Sequence, residues 1–132
     1  LGNPPINSID CKIEATDAST ARFVRQDMSL NMSDDLVKKL SGFNGREVRL
    51  GIRAEDVDER PGAEEGARIT GKVNSVLPVG SDQFLGFDFD GEELFFRVSK
   101  DLRHAVGETV TLSVDLNRLH VFDVETGETL IW

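Results

Sequence analysis

The chain has 132 residues, 39% of them hydrophobic, enough to bury the core of one domain or of two small lobes without disulfides or metals to hold it together. Its formal net charge of −9 argues against a broad basic face for nucleic acid or an anionic membrane, because the long-range field repels phosphates. Cys11 stands alone, which excludes an intramolecular disulfide or a cysteine-built zinc site and suits a reducing compartment.

In chain order, LGNPPINSID lacks the charged and apolar regions of a signal peptide, and no apolar run approaches the ~20 residues of a membrane span. A cytosolic protein is expected, and the missing initiator Met suggests a piece of something longer. Between Asp10 and Leu30, CKIEA with Ile13 and ARFV with Phe23 and Val24, separated by DAST, predict two short strands. Ser33 is placed to cap a short helix from Asp34. Asp35 suits its positive end, Leu36, Val37 and Leu40 share one face, and Gly42 is expected to close it after Lys38 and Lys39.

REVRLGIRAEDVDER comes next, with Val48, Leu50 and Ile52 alternating against Glu47, Arg49, Gly51 and Arg53, the period-2 pattern of a half-buried strand. ERPGAEEGA then denies regular structure and marks the best internal boundary, dividing the chain into a first lobe with the short helix, residues 1–60, and a second lobe, residues 61–132, expected to share one core. Arg68 to Leu77 reads as a strand. QFLGFDFDGEELFFRVS reads as a hairpin about Asp90-Gly91, since Asp-Gly supplies the positive φ values of a tight primed turn. A strand through Val110, Leu112 and Val114 and a last hairpin turning near Thr126-Gly127 complete an all-β class: antiparallel barrel elements with one short helix.

No constellation of residues supports catalysis. GARITGKV, Gly66 to Val73, imitates a phosphate loop through Lys72, but Val73 stands where a Mg²⁺-binding hydroxyl is needed and the context is strand rather than helix. In FDFDGEE, Asp88, Asp90, Glu92 and Glu93 lack calcium-loop spacing, because Gly91 directly follows the second Asp. His104 and His120, the two histidines, have no nucleophile at a recognisable elbow and are read as structural or surface residues. Asp56, Asp58, Glu59, Glu64 and Glu65 form a charge run, ordinarily a solvated face and alternatively a contact for a basic patch on a partner.

Three stretches carry a resemblance. LGNPPINSID is similar to the joint that leaves the ATPase domain in ATP-binding subunits of maltose-type sugar importers. REVRLGIRAEDV resembles that family's "VTLGIRPEDV" strand, through Gly51, Ile52, Arg53, Glu55 and Asp56, with Ala54 where the family usually has Pro. GKVNSVLPVGSDQFLGFDFDGEEL and VGETVTLSVDLNRLHVFDVETGETL resemble its two hairpins, although Leu77-Pro78-Val79 replaces a Glu-containing lead. The resemblance implies the C-terminal regulatory portion of an ABC-importer subunit, built from oligonucleotide-binding-fold-like elements of the transport-associated type.

Such a portion would be a non-catalytic regulatory and dimerisation domain. By the same resemblance no cofactor belongs to this stretch, ATP and Mg²⁺ being held by an N-terminal ATPase domain, and LSGFNG at Leu40 to Gly45 is not the family's LSGGQ signature. Implied partners are a second copy, the ATPase domain, membrane subunits reached through it, and in some members a regulatory protein; nucleic acid is not among them. Implied location is cytoplasmic, peripheral to the inner membrane. Phe122, Asp123 and Thr126 of the last hairpin are the candidate interface. A different reading, an oxyanion sensor related to molybdate-binding barrels, would use Lys72, Ser75, Ser81 and Arg97.

Overall fold

The computed structural model describes residues 6–17, 19–25, 28–59 and 67–131. Eleven strands form one curled antiparallel sheet: β1 (Ile6–Ala15), β2 (Ala21–Arg25), β3 (Met28–Asn31), β4 (Glu47–Arg53), β5 (Val57–Asp58), β6 (Ala67–Val79), β7 (Asp82–Phe89), β8 (Glu92–Ser99), β9 (Thr109–Val114), β10 (His120–Asp123) and β11 (Thr129–Ile131). The spatial order is β11-β10-β4-β1-β2-β3-β6-β7-β8, with β9 bridging β5 and β6. β6 is the long shared strand, pairing with β3 and β9 near its start and with β7 beyond a bulge between Val73 and Ser75.

The N-terminal region differs from expectation. Three strands stand where two short ones are predicted, and the first begins at Ile6, inside the stretch read as a joint. Asn7, Ile9, Cys11 and Ile13 all face inward while Ile6, Ser8 and Lys12 face out, so the alternation is complete and Asn7 alone disguises it. Likewise, α1 (Asp34–Lys39) starts as predicted, with Ser33 accepting from the Leu36 N–H, but Gly42 does not close it. Leu40, 2% exposed, supplies the last helical bond to the Leu36 carbonyl and anchors the end in the core; the chain then makes a 3-10 turn, Ser41–Phe43, and reverses at Gly45.

Inward side chains from β1 to β11 make one hydrophobic cluster, in which Phe23, Phe87, Phe89 and Phe96 are the largest fully buried members and Phe87 meets Phe96 edge to face at 5.5 Å. The final hairpin returns to the first half of the chain, where β10 pairs with β4 from His120↔Gly51 to Asp123↔Val48. The β8 edge is also covered. The Asn7 amide donates to the Ile52 carbonyl (3.1 Å) and the Phe95 carbonyl (2.9 Å) and accepts from the Phe95 N–H (2.9 Å), while the Arg97 N–H donates to the Ala54 carbonyl (2.8 Å). The Asn7 side chain and the Ala54 carbonyl thus cover the middle of the β8 edge, at Phe95 and Arg97.

Candidate functional site

β4 ends in the joint GIRAEDV. Gly51 sits in close packing: a Cβ there would lie 3.0 Å from Ile6 Cδ1 and 3.2 Å from His120 Cβ. Ile52 is 1% exposed in the core and Arg53 is half-buried. A tight turn follows, in which the Asp56 N–H donates to the Arg53 carbonyl (3.0 Å), and it leads into β5, where Val57 faces Val114 and Asp58 faces Ser113. The Asp115 N–H donates to the Asp56 carbonyl (3.0 Å), so the joint is stitched to the end of β9.

This stitching creates an open cleft of about 570 Å³ lined by Glu55, Asp56, Val57, Asp58, Ser113, Val114, Asp115, Asn117 and Arg118. Asp115 caps the 3-10 turn at Leu116–Arg118 by accepting from the Asn117 N–H (3.0 Å), and the exposed Arg118 reaches it at 3.7 Å. Asp56 is 7% exposed, and its Oδ2 has no hydrogen-bond partner among the described residues. Burial first, and then the charge of Glu55, push its carboxyl above the usual range, against the pull of Arg118.

The acidic run is therefore not the uniformly solvated face expected of it. Asp56 is buried, and the Glu59 side chain, 10% exposed, holds His104 Nε2 at 2.5 Å, while Glu108 holds Nδ1 at 2.9 Å. His104 thus has the structural role expected. Glu64 and Glu65 lie outside the described residues, as does Gly66 of the phosphate-loop imitation; its remainder runs straight through β6, with no helix to cradle phosphate. The acidic hairpin tip is tied down internally: Arg25 grips Asp90 (2.9 Å) and Glu92 (3.1 Å), and Glu93 accepts from Asn74 (3.1 Å). Among the described residues no group of three His, Cys, Asp or Glu is arranged to hold a metal. Burial pushes the Cys11 thiol up to about 12.

The oxyanion candidates are not gathered. Lys72 pairs with Asp88 and Arg97 with Phe84, four residues apart along β7 and so about 13 Å from one another. Arg97 is also engaged by Asp82 at 2.8 Å and stacks over Phe84. Ser75 lies over Gly86, and Ser81 accepts a backbone bond from Lys100 at the β6–β7 turn.

Of the candidate interface residues, Asp123 is 4% exposed and tied to Arg46, Phe122 is half-buried and stacked on His120, and Thr126 is exposed, accepting from the Glu128 N–H (3.1 Å). A more apolar outward face lies on β6–β8. Leu77 (62% exposed) and Phe95 (38% exposed) border Phe84 and Ser75 around a shallow apolar depression of about 280 Å³. The sequence alternation hides it, because Leu77-Pro78-Val79 is apolar on both faces of the strand.

Comparison with known proteins places these features in a family. The pattern of the TOBE domain matches residues 50–122, and that of the MalK OB fold domain matches residues 2–57. Relatives include the sn-glycerol-3-phosphate import ATP-binding protein UgpC of Salmonella typhi, 29% identical over 128 residues, covering 97% of this chain and 34% of the relative. The sulfoquinovosyl glycerol transport ATP-binding protein SmoE of Agrobacterium fabrum is 29% identical over 102 residues, covering 77% and 28%. An ABC transporter ATP-binding protein of Escherichia coli, YcjV, is 27% identical over 128 residues, covering 96% and 34%. The chain thus spans about a third of the length of such relatives. Among solved structures, the molybdate-bound form of the cytoplasmic molybdate-binding protein ModG superposes with a TM-score of 0.62 at 17% identity, over 87% of this chain and 94% of that one, a likeness of fold.

Proposed function

The chain belongs to the TOBE domain family, and from that membership we propose that it is the non-catalytic regulatory and dimerisation domain of the ATP-binding subunit of an ABC importer for sugars or related solutes. The observation that carries the reading is the ordered pair of matches: the MalK OB fold domain and then the TOBE domain, together running from residue 2 to residue 122, in a chain whose relatives are about three times as long. The remaining two thirds of such a subunit would hold ATP and Mg²⁺ and reach the membrane subunits on the cytoplasmic side. The barrel would hold two subunits together while the catalytic halves open and close, and offer a face to a regulatory protein.

Support for self-contact comes from the β6–β8 face. Two bodies each carrying −9 repel one another over most of their surface, and approach is least opposed where a face is apolar and its nearby charges, Asp82 and Arg97, neutralise each other. Leu77 and Phe95 would be its anchors. The last hairpin, with Phe122 and Thr126, is the second surface available, and Asp123 supports it from behind through Arg46.

Sedimentation equilibrium of the 132-residue chain up to millimolar concentration tests the contact. A concentration-dependent dimer is expected, weakened about tenfold or more by Leu77→Asp, since a charge placed at an interface anchor is costly. A monomer at every concentration, or a dimer indifferent to both Leu77→Asp and Thr126→Arg, would overturn it.

A further inference from the structure

We propose that His104 and Glu108 form a pH-sensitive clasp over the tip of the β8–β9 loop, closed by the doubly protonated ring and opened on the Glu108 side when the ring loses one proton, with Glu59 keeping hold of the other nitrogen. The geometry carries this. Nε2 stands 2.5 Å from a Glu59 oxygen and Nδ1 2.9 Å from a Glu108 oxygen. A carboxylate only accepts, so both ring nitrogens carry hydrogen and the ring in this arrangement is the cation. A neutral ring keeps a single N–H. Its bare nitrogen would then face a carboxylate oxygen, lone pair against lone pair.

Burial decides which contact fails. The Glu59 side chain is 10% exposed, and a charge left unpaired there is costly. Glu108 is 41% exposed and can turn toward water, giving up only the ring and the weak bond from the Ala105 N–H (3.3 Å). The neutral ring is therefore the Nε2–H tautomer, seated on Glu59. The loop's other ties confine the change to its tip. Gln83 holds one side by donating to the Ser99 and Leu102 carbonyls (2.9 and 2.7 Å). On the other side the Gly107 N–H donates to the Val73 carbonyl and the Val73 N–H to the Glu108 carbonyl, both at 2.8 Å. Between these anchors the clasp spans Ala105 to Gly107, where Val106 stands 68% exposed. β6 and β7 contribute no ionisable side chain to those ties, so the charges facing the ring are Glu59, which follows β5, and Glu108, on its own loop. Burial works against the imidazolium, but the two carboxylates outweigh it, so the clasp is closed at the ordinary histidine value and opens as pH rises above it. This device depends on the fold alone and stands whether or not the chain serves a transporter.

The test is an NMR titration of the 132-residue chain, ¹⁵N-labelled in histidine and ¹³C-labelled in alanine and valine methyls, from acid to alkaline pH. Both nitrogens of His104 are expected to be protonated at the acid end and Nε2 alone at the alkaline end, with a midpoint above that of a free-peptide histidine. The methyls of Ala105 and Val106 are expected to shift with the same midpoint, while that of Val73, at the anchored side, stays still. In Glu108→Gln the amide can donate to the bare Nδ1, so the clasp survives the loss of the proton: the ring still titrates, at a lower pH, and the methyl response disappears. A neutral ring protonated on Nδ1, methyls of Ala105 and Val106 indifferent to the titration of His104, or an undiminished methyl response in Glu108→Gln would overturn the proposal.

Discussion

His104 sits between two carboxylates, Glu59 on Nε2 and Glu108 on Nδ1, with its side chain 8% exposed. Burial alone would lower its pKa, but the hydrogen bond to Glu108 and the charge and hydrogen bond of Glu59 outweigh it and hold the ring above the usual value. A folded-state pKa above the unfolded one gives stability that is complete below about pH 6.5 and disappears as pH rises through the folded value. The urea midpoint is therefore expected to fall as pH rises above about 6.5, and the fall to flatten in His104→Gln; an unchanged slope in the variant would deny the bridge its role. The same contact holds Glu108 below its usual range, a share of stability lost in acid as pH drops through that depressed value. Asn7 matters by a different route. Asn7→Ala would leave the Phe95 N–H and two carbonyls short of partners where β1 meets β8, and a loss of about 2–3 kcal/mol is expected from denaturant unfolding at constant m-value. The partners in neither case could be read from the chain alone. Asn7 is an amide among apolar neighbours, and the partners of His104 lie 45 residues before it and 4 residues after it.

Elements with local signals were legible in the sequence. Asp90 and Gly91 have φ values of 49° and 81°, and β7 and β8 pair in register from Phe89↔Glu92 to Asp82↔Ser99, as the Asp-Gly hairpin predicted. Ser33 caps α1 as predicted because an N-cap is a four-residue affair. The helix end was misplaced, since a buried leucine outranked a nearby glycine. The two-residue β5 was missed altogether: its pairing with Val114 and Ser113 is set by partners more than fifty residues away. Gly71 marks another non-local demand. A Cβ there would lie 2.6 Å from Phe87 Cζ and 2.7 Å from the Asp88 carbonyl oxygen, and backbone cannot step aside as a flexible side chain can. Gly71→Ala is expected to cost about 1–3 kcal/mol by thermal or urea unfolding, whereas an indifferent variant would show that β6 and β7 part easily beside Gly71.

At the scale of the whole molecule, the sequence indicated an all-β chain of barrel elements but not how the sheet is threaded. The return of β10 to β4, and the sharing of β6 among β3, β7 and β9, depend on contacts that no local pattern encodes. The same limit hid the Asp56 cleft, whose two walls come from residues 55–58 and 113–118. Family resemblance supplied what periodicity did not, because GIRAEDV and the two later hairpins keep their order along the chain, and the TOBE and MalK OB fold matches overlap at residues 50–57, across that joint. That this barrel serves a transport ATPase is tested most directly by reading the genomic frame upstream of the codon for Leu1. An open frame continuing into a complete phosphate loop and an LSGGQ-type signature is predicted. A start codon immediately before Leu1 would contradict the transporter role, leaving a free-standing barrel with no motor to regulate.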